Sequence, residues 1–144
     1  AQNQPHSQLA ANAPSLLIVD DDAVFRNRLA RAMERKGYAV QTAADERSAA
    51  AIYHTAAPDY AVLDMRLEGG DNGLNIVEAL RQHKPDCRIV MLTGYGNIAS
   101  AVVAVKAGAI DYLAKPADAD DIDAALREDK AALPQIAADP MPAD

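Results

Sequence analysis

Four short apolar runs, each stopping abruptly at a polar or charged residue, constrain this chain more than any other feature. Leu16-Leu17-Ile18-Val19 runs into Asp20-Asp21-Asp22, Tyr60-Ala61-Val62-Leu63 into Asp64, Ile89-Val90-Met91-Leu92 into Thr93-Gly94, and residues 110–114 into Lys115-Pro116. A fifth run, Tyr38-Ala39-Val40, follows Gly37. Stretches this short and unbroken suit strands buried on both faces, the condition of a parallel sheet. Helical patterns fill the intervals. Phe25, Leu29, Ala32 and Met33 recur at helical spacing, with Gly37 placed to end that helix. Asp45 is placed to cap a second helix that runs to about His54 and stops before Pro58. Leu74, Val77, Ala79, Leu80 and Arg81 belong to a third, closed by Lys84-Pro85. Ile98, Val102, Val105 and Lys106 mark a fourth that stops at Gly108. Asp118 or Asp120 can cap a fifth, with Ile122, Ala125 and Leu126 on its inner face. Strand and helix alternate five times, which predicts an α/β, doubly wound parallel sheet with right-handed crossovers and helices on both faces.

In such a sheet, ligands bind beyond the carboxyl ends of the strands. Here those ends carry Asp20 and Asp21, Asp64, Thr93 and Lys115, so three carboxylates, a hydroxyl and an ammonium converge on one rim. Crowded carboxylates repel, and a small hard cation relieves them; Mg²⁺ suits one or two protein carboxylates plus retained waters. Beside it, a lysine and a hydroxyl suit the remaining oxygens of a phosphoryl group, and Asp64 can act as the nucleophile that forms an acyl phosphate. The chemistry read from the residues is Mg²⁺-assisted phosphoryl transfer onto an aspartate. Each residue has a plainer reading: Asp20-Asp21 as a helix cap, Thr93 and Lys115 as loop residues. Their joint occurrence at successive strand ends favours the site. Asp22 is read only as a helix cap.

Composition bounds the alternatives. The 144 residues suffice for one domain, and the formal charge is −7. Residues 117–144 hold 8 acids against 2 bases, so the acidity is local. The remainder holds 13 acids against 12 bases, a balance that argues against a free-standing nucleic-acid binder. No apolar run approaches a membrane span and no signal peptide is visible. The single cysteine, Cys87, excludes an intrachain disulfide. The expectation is a soluble, acidic, cytoplasmic protein with no membrane association. Residues 1–15 read as a flexible leader, 16–130 as the folded domain, and 131–144, with three prolines, as a linker.

The motifs LLIVDDD, YAVLDMRL, IVMLTGYG and DYLAKP, in this order and at this spacing, resemble the receiver domain of two-component response regulators over about residues 15–130. GYGNIASAVVAVKAGAIDYLAKPADADDI is similar more narrowly to the RegA/PrrA/ActR group, regulators of redox and photosynthesis genes. The resemblance implies a flavodoxin-like (βα)5 fold with strand order 2-1-3-4-5. It implies that Asp64 is the phosphoacceptor, with Mg²⁺ held directly by Asp21 and Asp64, by the Arg66 backbone carbonyl, and by Asp20 through water. It makes Lys115 the partner of the phosphoryl group, Thr93 the switch hydroxyl and Tyr112 the switch aromatic. Arg66 and Tyr95 flank the approach of water to the phosphoryl group, which implies slow self-dephosphorylation. The implied partner is a sensor histidine kinase. DNA enters only through an output domain beyond the linker, absent from this sequence, and a phosphorylation-dependent homodimer would use the face of the fourth helix, fifth strand and fifth helix. Glu68 stands where most receivers have proline, and Gly73 lies nine residues after Asp64 instead of eight, so residues 67–73 depart from the family pattern.

Beyond self-catalysed phosphotransfer no enzyme is expected. Two alternatives stand beside this reading: an aspartyl-phosphate hydrolase, although Arg66 sits where that chemistry usually wants a second acid, and a phosphorylation-independent adaptor. His6, His54 and His83 show no metal-ligand spacing. Cys87 reads as a small apolar residue. The basic first helix (Arg26, Arg28, Arg31, Arg35, Lys36) reads as a solvated face or a kinase-docking surface.

Overall fold

The computed structural model describes residues 13–65, 67, 73–93, 106, 108–109, 111–115 and 117–127. Strands β1 (Ser15–Val19), β2 (Ala39–Ala43), β3 (Tyr60–Asp64), β4 (Arg88–Thr93) and β5 (Asp111–Ala114) form one sheet. Its order is β2-β1-β3-β4-β5 and every neighbouring pair is parallel, the expected flavodoxin-like topology. Around it lie α1 (Ala23–Arg35), α2 (Glu46–Thr55), α3 (Gly73–His83) and α4 (Ala119–Arg127), the last being the fifth helix of the sequence reading. Of the fourth, Lys106 is helical and the rest lies outside the described residues.

Two cores follow from the two-residue period of a strand. Leu17, Val19, Ala61, Leu63, Ile89 and Met91 face Ala49 and Tyr53 of α2 and Ile76, Val77 and Leu80 of α3. Leu16, Ile18, Val62, Val90 and Leu92 face Leu29 and Met33 of α1 and Ile122, Ala125 and Leu126 of α4. Three of these helices start at aspartate caps. Asp22 accepts from the Phe25 N–H, Asp45 and Ser48 form a reciprocal capping box, and Asp118 accepts from the Asp121 N–H. Gly37, at φ +104°, ends α1. No helix among the described residues is long and apolar enough to cross a membrane.

Three sequence expectations are corrected. β2 spans Ala39–Ala43, and Tyr38 precedes it. That strand is an edge with Gln41 and Thr42 exposed, so no apolar run marked its second half. Tyr38 is instead buried, its hydroxyl donating to Asp123 of α4 at 2.7 Å. β1 begins at Ser15, which is tied to Asp59 by hydrogen bonds through both its N–H and its hydroxyl. Lastly, α1 is not a uniformly solvated basic face: Lys36 pairs with Asp120 of α4, and Arg26 turns back to the β1 end.

Candidate functional site

Parallel pairing brings the chemistry to one rim. Val19 lies opposite Leu63, Asp64 opposite Leu92, and Thr93 opposite Ala114, so the residues that end or follow β1, β3, β4 and β5 share one edge of the sheet. One carboxylate oxygen each from Asp20, Asp21 and Asp64 lies within 4.8 Å of the others. The Lys115 ammonium joins them, donating to Asp20 Oδ2 at 2.9 Å and to Asp64 Oδ2 at 3.2 Å. Its own N–H donates to the Thr93 carbonyl at 2.8 Å, which fastens the root of the lysine to the strand carrying the buried Thr93.

Asp20 is 1% exposed and held on every side. Its Oδ1 accepts from the Asp22 N–H at 2.9 Å, its Oδ2 from Lys115, its N–H donates to the Ala43 carbonyl at 3.1 Å, and its carbonyl accepts from Arg26 Nη1 at 2.7 Å. A buried carboxylate is tolerated only when paired and hydrogen-bonded in this way. For Lys115, burial pulls the ammonium pKa down, but the hydrogen bond and charge of Asp20, with Asp64 beside it, outweigh burial and leave it raised. The lysine therefore stays cationic. Three carboxylates and one ammonium carry a formal −2 together, and their converging hard oxygens fit a divalent cation such as Mg²⁺.

Asp20, Asp21, Asp64, Thr93 and Lys115 are thus brought together as the sequence reading expected. Tyr112, opposite Met91 on the edge strand β5, is 40% exposed. Arg66 and Tyr95 lie outside the described residues. Cys87 is buried and its thiol is pushed up to about 11 by desolvation, the environment of an inert apolar cysteine. Two features escaped the sequence. Arg26 clamps the Asp20 carbonyl, and the Phe25 ring lies under Lys115, its centroid 5.0 Å from Nζ. An aromatic and an arginine just after an acidic loop were the available signal, but helical spacing assigned Phe25 to the core. No signal in the sequence showed that His54 and His83 meet: their rings stack at 4.8 Å between centroids, with Tyr53 edge-on to both.

The response regulator receiver domain family matches residues 16–127. The chain is 57% identical over 130 residues to the photosynthetic apparatus regulatory protein RegA of Rhodobacter capsulatus, covering 90% of this chain and 70% of that protein. It is 54% identical over 130 residues to the acid tolerance regulatory protein ActR of Rhizobium meliloti (strain 1021), covering 90% and 66%. Among solved structures, a response regulator from Burkholderia pseudomallei with a phosphorylated aspartic acid, calcium ion and citrate superposes with a TM-score of 0.78 at 40% identity, over 87% of this chain and 73% of that one. A rim of acids closed by one lysine, on this sheet order and with these relatives, makes the chain a member of the response regulator receiver family of two-component systems, of the RegA/PrrA/ActR type.

Proposed function

We propose that the domain is a phosphorylation switch in which a partner histidine kinase transfers a phosphoryl group to Asp64. The observation that carries this is the Lys115 ammonium bridging Asp20 and Asp64 beside Asp21 and the buried Thr93. A Mg²⁺ ion held by Asp21, Asp64 and the Arg66 carbonyl, and by Asp20 through water, would neutralise charge on the transferring phosphoryl group. The Asp64 carboxylate oxygen attacks phosphorus as the bond to the donor breaks and its electron pair leaves with the donor. Lys115, already cationic at the carboxylates, pairs with a phosphoryl oxygen without changing its protonation. Asp20, fixed by Asp22, Lys115 and Arg26, keeps the lysine on the rim.

After transfer, Thr93 donates its hydroxyl to the phosphoryl group and Tyr112 fills the space that it vacates. This reshapes the face around β5 and α4 through which a homodimer forms. Arg66 and Tyr95 shield the phosphorus from water, so self-dephosphorylation is slow and no substrate is turned over. In the cytoplasm the switch acts on DNA only through an output domain reached by the linker at residues 131–144; the leader precedes Ser15, which opens β1, and the receiver runs from there to residue 130.

Intact mass after incubation with acetyl phosphate and Mg²⁺ tests the reading. A gain of about 80 Da, one phosphoryl group, that disappears in Asp64→Asn supports it. No adduct points to a phosphorylation-independent adaptor, and continuous hydrolysis of an added phosphate ester to an aspartyl-phosphate hydrolase.

A further inference from the structure

We propose that Phe25 is a positioning residue for the phosphotransfer, its ring face holding the Lys115 ammonium against Asp20 and Asp64. The inference rests on Asp64 being the phosphoacceptor. The Lys115 Nζ lies 5.0 Å from the Phe25 ring centroid while donating to the two carboxylates. That distance is within reach of the attraction between a cation and an aromatic face.

The main chain around Phe25 is fastened to the acidic loop. Its N–H donates to the Asp22 side chain at 3.1 Å, the Arg26 N–H donates to the Asp22 carbonyl at 2.8 Å, and the Arg26 guanidinium donates to the Asp20 carbonyl at 2.7 Å. The ring is therefore carried on the same rigid turn as the carboxylates. Lys115 is anchored at its root by the Thr93 carbonyl, but its four-carbon stem is flexible and its side chain is 30% exposed. Water competes for such an ammonium. An aromatic face holds the cation without using the N–H bonds that point at Asp20 and Asp64, whereas an aliphatic side chain would fill the space and hold nothing.

Catalysis gains from a charge already in place when negative charge moves onto the phosphoryl oxygens. With acetyl phosphate as donor, the Asp64 oxygen forms its bond to phosphorus, the acetate oxygen leaves with its electron pair, and Lys115 stays protonated throughout. Phe25 acts through Lys115 and touches no reacting atom.

Phe25 is the one phenylalanine in the sequence, so growth on ring-fluorinated phenylalanine alters this ring and no other. Fluorination drains charge from the ring face with little change in volume, so a purely packing role is insensitive to it. The rate of Asp64 phosphorylation by acetyl phosphate in Mg²⁺ is expected to fall stepwise from the unfluorinated to the trifluorinated ring, by about threefold to tenfold in all, with the unfolding midpoint unmoved. Phe25→Tyr should retain the rate, and Phe25→Leu should match the trifluorinated ring. The ¹⁹F resonance should shift in Lys115→Gln. A labelled protein whose rate is flat across the series, or a ¹⁹F resonance that ignores Lys115→Gln, overturns this proposal alone. Wild-type protein that takes no label, or that is labelled equally in Asp64→Asn, overturns the phosphoacceptor reading and this proposal with it.

Discussion

Gly73, the first residue of α3, packs so tightly on the main chain of Asp64 that a Cβ built on it would lie 2.3 Å from the Asp64 carbonyl oxygen. Asp64 has no room to retreat, because it is paired with Leu92 and the next residue, Met65, donates its N–H to the Leu92 carbonyl at 2.9 Å. The same Cβ would meet the Met91 methyl at 2.9 Å, and the Gly73 N–H donates to the Met65 carbonyl at 3.0 Å. Although Gly73 stands nine residues after Asp64, it opens α3 directly against the Asp64 main chain. Gly73→Ala should cost about 1–3 kcal/mol by overpacking and slow Asp64 phosphorylation as well. Gly37→Ala, with open space around it but φ +104°, should cost about 1–2 kcal/mol of backbone strain and leave phosphorylation alone. Urea unfolding and acetyl-phosphate labelling of both variants check the contrast.

Asp21→Ala should abolish Mg²⁺-dependent phosphorylation while leaving the fold as stable as before or more so. It removes an oxygen proposed to ligate the metal and one of three carboxylates that crowd within 4.8 Å of one another. Mg²⁺ binding should also weaken on acidification, because ligation requires ionised carboxylates. Mass spectrometry of the labelled variant checks the first point; labelling at the wild-type rate would remove Asp21 from the ligand set.

Thr93→Ala should separate phosphorylation from its consequence. The phosphoryl group can bias β5 only through contacts that differ between the two states, a coupling of typically ~1–3 kcal/mol. Thr93 is buried beside Ala114 and holds the root of Lys115 through its carbonyl, which the substitution keeps. The variant should still accept the phosphoryl group, but the phosphorylation-induced NMR shifts at Ala109 and Tyr112 should disappear. Shifts that persist would show that the switch bypasses the hydroxyl.

At the opposite end of the sheet, Asp59 should govern part of the acid limb of stability. The hydrogen bond from Lys84, followed by that of the Ser15 N–H, holds its carboxyl below the ordinary 3.8. A depressed folded-state pKa means that the stabilisation is fully present above the unfolded value and is lost as pH falls through the folded one. Asp59 and Lys84 are both partly exposed, so the effect is modest. Asp59→Asn should be less stable than wild type at neutral pH, and the two urea midpoints should draw together as the pH falls below the ordinary 3.8 and through the depressed folded-state value. Midpoints that stay parallel throughout the acid range would contradict the assignment.

The strands of the sheet's middle were legible because β1, β3 and β4 are covered on both faces, which forces an unbroken apolar run onto each. The caps at Asp22 and Asp45 were legible because a helix start is settled within four residues, and the choice left open between Asp118 and Asp120 falls to Asp118. The second half of β2 was not, since an edge strand tolerates Gln41 and Thr42 in solvent and loses the pattern. His54 and His83, set apart in sequence, meet because α2 and α3 pack side by side on one face.

By itself, then, the order of residues determined the alternation of strand and helix and which chemistry ends each strand, because backbone periodicity and capping are local properties. Tertiary structure decided that Lys115 bridges Asp20 and Asp64, that Arg26 grips the Asp20 carbonyl and that the Phe25 ring lies under the ammonium. Phe25 and Lys115 belong to opposite ends of the chain, and no local preference relates them. They become neighbours only when β1 and β5 are set into one parallel sheet and α1 is packed against the face that brings its first turn to the acidic rim.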